Sequence, residues 1–514
     1  MTDTNGDCHR RTDVLVIGGG PTGLSLGCDL KRRGVRVRVV EKASEATCGS
    51  RGKGLQPRTL EVFDNLGIVE RVLGEGSEYP PLRVHAGPFA VPWDLVKRER
   101  PTPATPYPNL WMLPQHRTEA ILCARFAELG GAVEAGTELV SFSQDDGYVV
   151  ATLRRNGGEE TVRTRYVVGA DGGRSKVRKL ASVPFSGDGR ELSHAIVGDV
   201  TVDGLDRRFW HAWPFAKFGP VALCPLPGGD LFQLFAQNDG TPFTREPCPE
   251  AVTAFLRTSI GERAPSIHSA PWLSLYRPNV RLAEHYRIGR VLLAGDAAHV
   301  HPPTGAQGLN AGVQDAFNLG WKLAAVLLGA PDSLLDTYEE ERRPVAAGIL
   351  DLSTATFRSK WRIRGRDTKQ LRTSYGQSSI ACERRRNPGR VRAGDRAPDA
   401  RGTDVGGRPF RVFDALRGPR ATVLAFGAAV ADVARVTCAG FDVNVVTVTP
   451  SIRGAMGGDI VDARGDIRRI YDASSESFML IRPDGYVGFA GEASEARAFA
   501  EYLPRIASSR CRAT

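Results

Sequence analysis

At 514 residues the chain has room for two to four folding units. With 41% hydrophobic and 25% charged residues, and no apolar run near the ~20 residues of a membrane span, it reads as a soluble globular protein. The formal net charge of +10 comes from dispersed arginines, and the one cluster, Arg384-Arg385-Arg386, reads as a solvated run in a linker, so a nucleic-acid interface is not expected.

Residues 1–11 are polar and lack the apolar stretch of a secretory signal. The nine cysteines are scattered, with no C-x-x-C pair, so reduced cytoplasmic thiols are expected rather than a disulfide framework or a zinc site. The first element is Val14-Leu15-Val16-Ile17, a continuous apolar run suited to a strand buried on both faces. Gly18, Gly20 and Gly23 follow with the spacing G-x-G-x-x-G, then a helix, then a second strand over 35–40 ending in Glu41. The glycines permit a tight turn, close approach of a pyrophosphate and close helix–strand packing; the helix N-terminus favours the anion, and Glu41 stands where a carboxylate accepts from a ribose. A glycine-rich turn by itself binds nothing, but strand, helix, strand and acid in this order point to a dinucleotide.

Next, 58–67 reads as an amphipathic helix stopped by Gly67. Arg51 and Arg58 are candidate pyrophosphate partners, Arg51 the better one because of its glycine-bounded loop. The proline-rich stretch 79–108 reads as a long connection or pocket rim, and a helix starting at 115 places Gln115 near its N-terminus. Strands are expected over 133–142, 148–153 and 160–168. The last runs into Asp171-Gly172, a plain turn or a ligand loop, followed by a helix with basic residues. From 185 to 272 short β-like segments alternate with Gly and Pro turns, as in an inserted antiparallel sheet dense in aromatics. A buried strand returns at 291–294 and ends in Gly295-Asp296; the loop 302–310 and a long helix follow, a junction whose free N–H groups suit negative charge. His299 and His301 have no third ligand at metal spacing and read as capping or packing groups. Beyond a polar linker over 369–396, a β-α-β pattern, a hairpin around Pro483-Asp484-Gly485 and a last helix resemble a thioredoxin-like domain in which Cys438 stands alone.

Gly18-x-Gly20-x-x-Gly23 with Glu41, then Asp171-Gly172, then Gly295-Asp296 resemble, in order and spacing, the three fingerprints of single-component FAD-dependent aromatic monooxygenases. The run Leu480-Ile481-Arg482-Pro483-Asp484-Gly485-Tyr486-Val487 is similar to the tail of the aromatic polyketide hydroxylase branch. The resemblance implies an α/β fold: a Rossmann-like FAD-binding domain (1–180 and, with linking helices, 285–390), an inserted antiparallel-sheet substrate domain (181–284) and a thioredoxin-like domain lacking C-x-x-C (391–514). It implies FAD held by Gly18, Gly20, Pro21, Thr22 and Gly23, with Glu41 on the ribose and Lys42, Arg51, Gln115 and Val140 nearby. Asp171 would serve the pyrophosphate and the nicotinamide cofactor, and Gly295 and Asp296 the ribityl chain. Pro303, Gly305, Gly308, Leu309 and Asn310 would meet the flavin's pyrimidine edge, and Ala306 replaces a glycine frequent in the family.

The implied chemistry is reduction of FAD by NAD(P)H as co-substrate, addition of O2 to give a flavin C4a-hydroperoxide, and oxygen transfer to an electron-rich aromatic carbon, with no metal. The single G-x-G-x-x-G unit leaves NAD(P)H to bind without its own Rossmann domain, near Arg51 and Asp171, which calls for a mobile flavin. A polycyclic, polyketide-derived phenol or quinone is expected between the insert and the loop 302–310, walled by some of Trp210, Trp213, Phe215, Phe232 and Phe235. Lys217 gives no sign of a buried cation for a small acid, and His211, Tyr276 and Arg277 are candidate bases. Baeyer–Villiger oxygenation, antibiotic inactivation, a reductase of a hydrophobic alkene and a non-catalytic flavoprotein that sequesters an aromatic ligand stay open, as does a homodimer. No W-x-W-x-I-P segment supports a halogenase.

Overall fold

The structure, a computed structural model, describes residues 11–45, 49–87, 89–93, 98–187, 194–238, 247–276, 279–301, 306–358, 369–453 and 455–507. Its first sheet has the strand Arg11–Ile17 at its centre, flanked in parallel by Val37–Glu41 and Gly158–Gly169, with Val133–Ala135 and Val291–Leu293 outside them. Val14, Leu15, Val16, Val167 and Val168 are fully buried, as strands covered on both faces require. The expected single strand over 133–142 is two, broken at Gly136, whose φ of +66° turns the chain.

The helix Pro21–Arg32 packs on the long helix Gly308–Leu327 through small residues. A Cβ on Gly312 would lie 2.3 Å from Thr22 Oγ1, and one on Gly320 2.3 Å from Asp29 Oδ2. Two glycines eight apart share one face of a helix, so both press against the same neighbour.

The second sheet has seven strands in the order Ile267–Tyr276, His194–Val202, Phe232–Asn238, Val221–Pro225, Trp210–Trp213, Leu82–Ala86, Phe89–Trp93. The last two come from the stretch expected to be a connection. They form a hairpin whose first strand runs parallel to Trp210–Trp213, so the sheet draws on two separate parts of the chain. Pro92 sits in the edge strand, where a missing N–H is tolerated. The insert also holds a helix, Pro249–Ile260, opened by proline and stopped by Gly261 at φ +93°. Its Val252, Phe255 and Leu256 close the core over Phe232 and Leu234.

The C-terminal unit pairs Ala421–Ala425 in parallel with Val443–Thr449 and antiparallel with Ser477–Ile481, which forms a hairpin with Val487–Glu492, the order expected of a thioredoxin-like unit. Burial pushes the Cys438 thiol up to about 12, so it is not a thiolate at neutral pH. The supposed linker is ordered and packed: Tyr375, Ser378 and Ile380 are buried. Within it, the supposedly solvated Arg385 is 7% exposed and pairs with Glu383 at 2.8 Å, because its guanidinium also reaches Val391 O. The unit is clamped to the rest by a buried charge network. Arg482 donates to both oxygens of Glu341 (2.6 and 2.9 Å) and to Asp484 Oδ1 (3.0 Å), and Lys322 Nζ donates to Glu341 at 2.8 Å. Burial would raise the Glu341 carboxyl, but Arg482 and Lys322 hold it well below its ordinary value. Arg58 belongs to this seam, donating to Glu61 and to Asp484 O over the Tyr486 ring. Its guanidinium is committed there, which removes it as a candidate pyrophosphate partner.

Among the described residues no helix is long and apolar enough to cross a membrane.

Candidate active site

The three glycines have distinct surroundings. Gly18 adopts φ +112°, and a Cβ there would lie 2.3 Å from Ala170 O; one on Gly23 would lie 2.0 Å from Gly18 O. Around Gly20 a Cβ would meet nothing within 4 Å, so that face of the turn is open. Pro21 starts the helix and Gly20 supplies no side-chain cap, leaving the first N–H groups available. Glu41 lies beside this turn, its carboxylate accepting from Gly19 N (2.8 Å) and Ala43 N (3.0 Å). Lys42 is exposed next to it. Val140, half-buried, falls where the pairing of Thr137–Gln144 with its neighbour shifts register.

At the same carboxyl end of the sheet, Gly295 adopts φ +60°, and a Cβ there would lie 2.6 Å from Thr22 Oγ1. Thr22, Gly295 and Gly312 therefore meet at one point, although they are distant in sequence. The Asp296 carboxylate is solvent-accessible, yet burial raises its pKa, partly offset by His299 and Arg51. Behind it, Asp315 accepts from Gly295 N (3.0 Å) and Arg342 Nε (2.7 Å) and lies 2.7 Å from His299 Nε2. Burial would raise the Asp315 carboxyl, but Arg342 and His299 bring it to about 2. His299 is thus a packing group; among the described residues no cluster of three His, Cys, Asp or Glu could hold a metal. Asp171 Oδ2 accepts from Lys176 N (2.7 Å) and Val177 N (3.2 Å), while its buried Oδ1 has no partner. Arg178 joins the two loops by donating to Ala297 O (2.8 Å) and Gly173 O (3.0 Å). In the sequence Arg178 was one basic residue among several, and Gly312 and Asp315 were unmarked helix positions.

A third loop, 49–56, lies against both. Gln115 Oε1 accepts from Gly52 N at 3.2 Å. Asn310 is buried and does not present its amide to a ligand: it accepts from Gln56 N (2.7 Å) and donates to Gly54 O (2.8 Å) and Ala306 O (2.6 Å). Leu309 faces Gly52, and Gly308 packs against His301. Ala306 adopts φ +51°, which accounts for the glycine frequent there; its methyl points at Gly54. Arg51 is exposed. Pro303 and Gly305, like Arg277, lie outside the described residues.

Of the five aromatics expected to wall a pocket, three are elsewhere, Trp213 among them, packed on the insert's own core. Phe232 is 2% exposed in the insert's own core, and Phe215 is 83% exposed. Strand alternation sends Phe232 and Leu234 one way, and Gln233 with Phe235 the other, toward the loop 49–56. Trp213 stacks on His85 at 4.4 Å, and His85 Nε2 lies 2.9 Å from His211 Nδ1, so His211, 2% exposed, is spent inside the sheet. Burial lowers His85 to about 4 and His211 below its usual value, which leaves this pair neutral at pH 7. Trp210 lies 5.8 Å from Tyr79 and 5.0 Å from Lys53 Nζ. Tyr276 donates to His301 O at 3.3 Å, which brings the insert against the flavin-loop segment, and burial raises its phenol. Tyr79, Lys53 and Tyr276 are half-buried, and burial raises the two phenols and lowers the ammonium.

Residues 11–353 match the model of the FAD binding domain, and 390–509 that of the aromatic-ring hydroxylase C-terminal domain. The chain belongs to the FAD-dependent aromatic monooxygenases. This monooxygenase is similar to a flavin-dependent monooxygenase of Mycobacteroides abscessus, 42% identical over 96% of this chain and 99% of the relative. It is also 40% identical to a rifampicin monooxygenase of Streptomyces venezuelae, over 67% of this chain and 70% of the relative. Among solved structures, a ternary complex of aklavinone-11 hydroxylase with FAD and aklavinone superposes with a TM-score of 0.81 at 30% identity, covering 98% of this chain and 99% of that one. The monooxygenase's own features fit FAD: the open face at Gly20, the uncapped helix start, the unpartnered Asp171 Oδ1 and the exposed Asp296 carboxylate.

Proposed function

We propose that the enzyme uses NAD(P)H and O2 to hydroxylate a fused-ring phenol or quinone of polyketide type. The observation that carries this is the junction at which Tyr276 donates to His301 O, Gly54 faces Ala306 and the Tyr79 hydroxyl, and Trp210 lies 5.8 Å from the Tyr79 ring and 5.0 Å from Lys53 Nζ, which in this reading edges a substrate recess. That recess opens between the flavin-loop segment and the aromatic sheet, where a flat substrate would stack and water would be excluded. In this reading Gly20 and the helix start at Pro21 receive the pyrophosphate, Glu41 the ribose, Asp296 the ribityl chain, and Asp171 Oδ1 accepts the remaining donor. Arg51, exposed beside Asp296, is the proposed first contact for NAD(P)H. FAD, when bound, carries the redox chemistry and activates oxygen; the chain binds, orients and shields. Asp315, Arg342, Asn310 and Arg178 hold the loops in register and do not touch substrate.

The test is rapid-mixing reduction of the holoenzyme by NADH and NADPH, with and without a panel of fused-ring and single-ring phenols. Faster flavin reduction with fused-ring ligands, coupled to oxygen uptake, is expected. Equal rates with and without every ligand count against the reading. The rifampicin monooxygenase relative favours a second reading, oxygenation of an antibiotic that disables it; product identity separates the two.

A further inference from the structure

We propose that Lys53 is a positioning residue for the substrate, its ammonium holding an ionised phenol or enol oxygen of the ring system between the aromatic sheet and the flavin loop. The proposal rests on the substrate lying in the recess described above and names the chemistry that recognises it.

Lys53 belongs to the loop 49–56, and its carbonyl accepts from Leu113 N at 2.8 Å. One residue on, Gly54 faces Ala306 of the flavin-loop segment and the Tyr79 hydroxyl. The side chain leaves this junction toward the sheet: Nζ donates to Gln233 Oε1 and stands 5.0 Å from the Trp210 ring centroid. Lys217, the insert's own lysine, lies over the Phe218 ring instead, so a reading of the insert's lysines could not find this one.

What marks Lys53 is an unmatched charge. Among the described residues no carboxylate comes within ion-pair distance of Nζ; an amide oxygen, a ring face and the Cys224 thiol are its contacts. The groups that face it are the Cys224 thiol, the Asp199 carboxylate and the Tyr79 phenol from the sheet and its rim, with His116 beyond Asp199. Asp199 is itself occupied, accepting from Ser50 N at 2.8 Å. Burial lowers the lysine's pKa and raises those of Cys224 and Asp199. A buried ammonium without an anion is costly, and an oxyanion on a bound ligand removes that cost. Trp210 beside it offers a face for the ligand's rings. Holding the phenol as phenolate makes its ring more electron-rich, which the proposed oxygenation needs.

Alizarin, a fused-ring phenol, tests this directly, because its phenolate absorbs to the red of both its neutral form and oxidised flavin. Wild-type holoenzyme should ionise bound alizarin at a pH at least one unit below that of the free dye. Lys53→Gln should abolish that shift and weaken alizarin binding tenfold or more, with FAD content unchanged. Lys53→Arg should keep the red band. Anthraquinone, which has no hydroxyl, should bind wild type and Lys53→Gln alike, a result that a merely structural lysine would not give. Should Lys53→Gln fail to fold, Lys53→Met is the second neutral variant, with the same expected loss. Three results overturn the proposal: alizarin stays neutral on the wild-type enzyme, the neutral variant ionises it as fully, or the neutral variant loses FAD, which assigns the cation to the cofactor. The monooxygenase reading is judged by ligand-stimulated flavin reduction and oxygen uptake, which these results leave untouched.

Discussion

Asp296 and Gly23 separate two ways in which one residue can matter. Asp296 is exposed and, in the proposed reading, meets the ribityl chain, so Asp296→Ala should remove an interaction with the cofactor and leave the fold intact. A hydrogen bond to a charged group is worth about 1.5–3 kcal/mol, so FAD titration of the apoprotein should show binding weaker by roughly tenfold or more. Retention as tight as in wild type would dismiss the ribityl role. Gly23 packs the helix close to the turn: a methyl there would meet Gly18 O at 2.0 Å. Gly23→Ala should push helix from strand and cost about 1–3 kcal/mol of stability, read as a lower denaturation midpoint. Both residues were legible in the sequence, because a fingerprint is local. Asp315, Gly312 and Arg178 were not, since their roles appear only when distant segments meet.

Whole elements are held by paired charges, and these set two further expectations. Arg482→Met would leave the Glu341 and Asp484 carboxylates short of one cation, with Lys322 still on Glu341, in the seam between the C-terminal unit and the helix Asp336–Arg358. Removing one partner of a buried pair costs about 3–5 kcal/mol, so the thermal midpoint should fall well below wild type. Arg497→Met, which breaks an exposed pair with Glu501, should leave it in place. A fall as small for Arg482→Met would mean the seam is not a clamp. The Asp315 carboxyl, brought to about 2 from an ordinary 3.8, contributes stability fully present above pH ~4 and lost as pH falls toward 2. The shift corresponds to roughly 2 kcal/mol. Denaturant midpoints of wild type should drop through that window, and those of Asp315→Asn should drop less. Periodicity revealed most of these elements, including Val443–Thr449 to the residue. It failed over 79–108, where the hairpin Leu82–Trp93 follows from pairing with Trp210–Trp213, a partner well over a hundred residues away. It failed also at Pro249–Ile260, whose apolar spacing lay inside a stretch read as strands.

For the whole molecule, the order of the three fingerprints was enough to imply the FAD-binding fold with its inserted sheet. The composition of the pocket wall was not, because burial decides which aromatic faces inward: Phe232 went to the core, Phe215 to the surface, and Lys53 arrived from outside the insert. The central claim is oxygen transfer to a fused-ring phenol in that recess. The direct measurement is turnover under isotopically labelled dioxygen with NAD(P)H and a panel of fused-ring and single-ring phenols, followed by mass spectrometry of the products. The expected result is one labelled oxygen atom per fused-ring product, matched to the NAD(P)H consumed. Labelled product from p-hydroxybenzoate alone, with every fused-ring phenol unchanged, would contradict the substrate assignment; hydrogen peroxide as the sole product across the panel would contradict oxygen transfer itself.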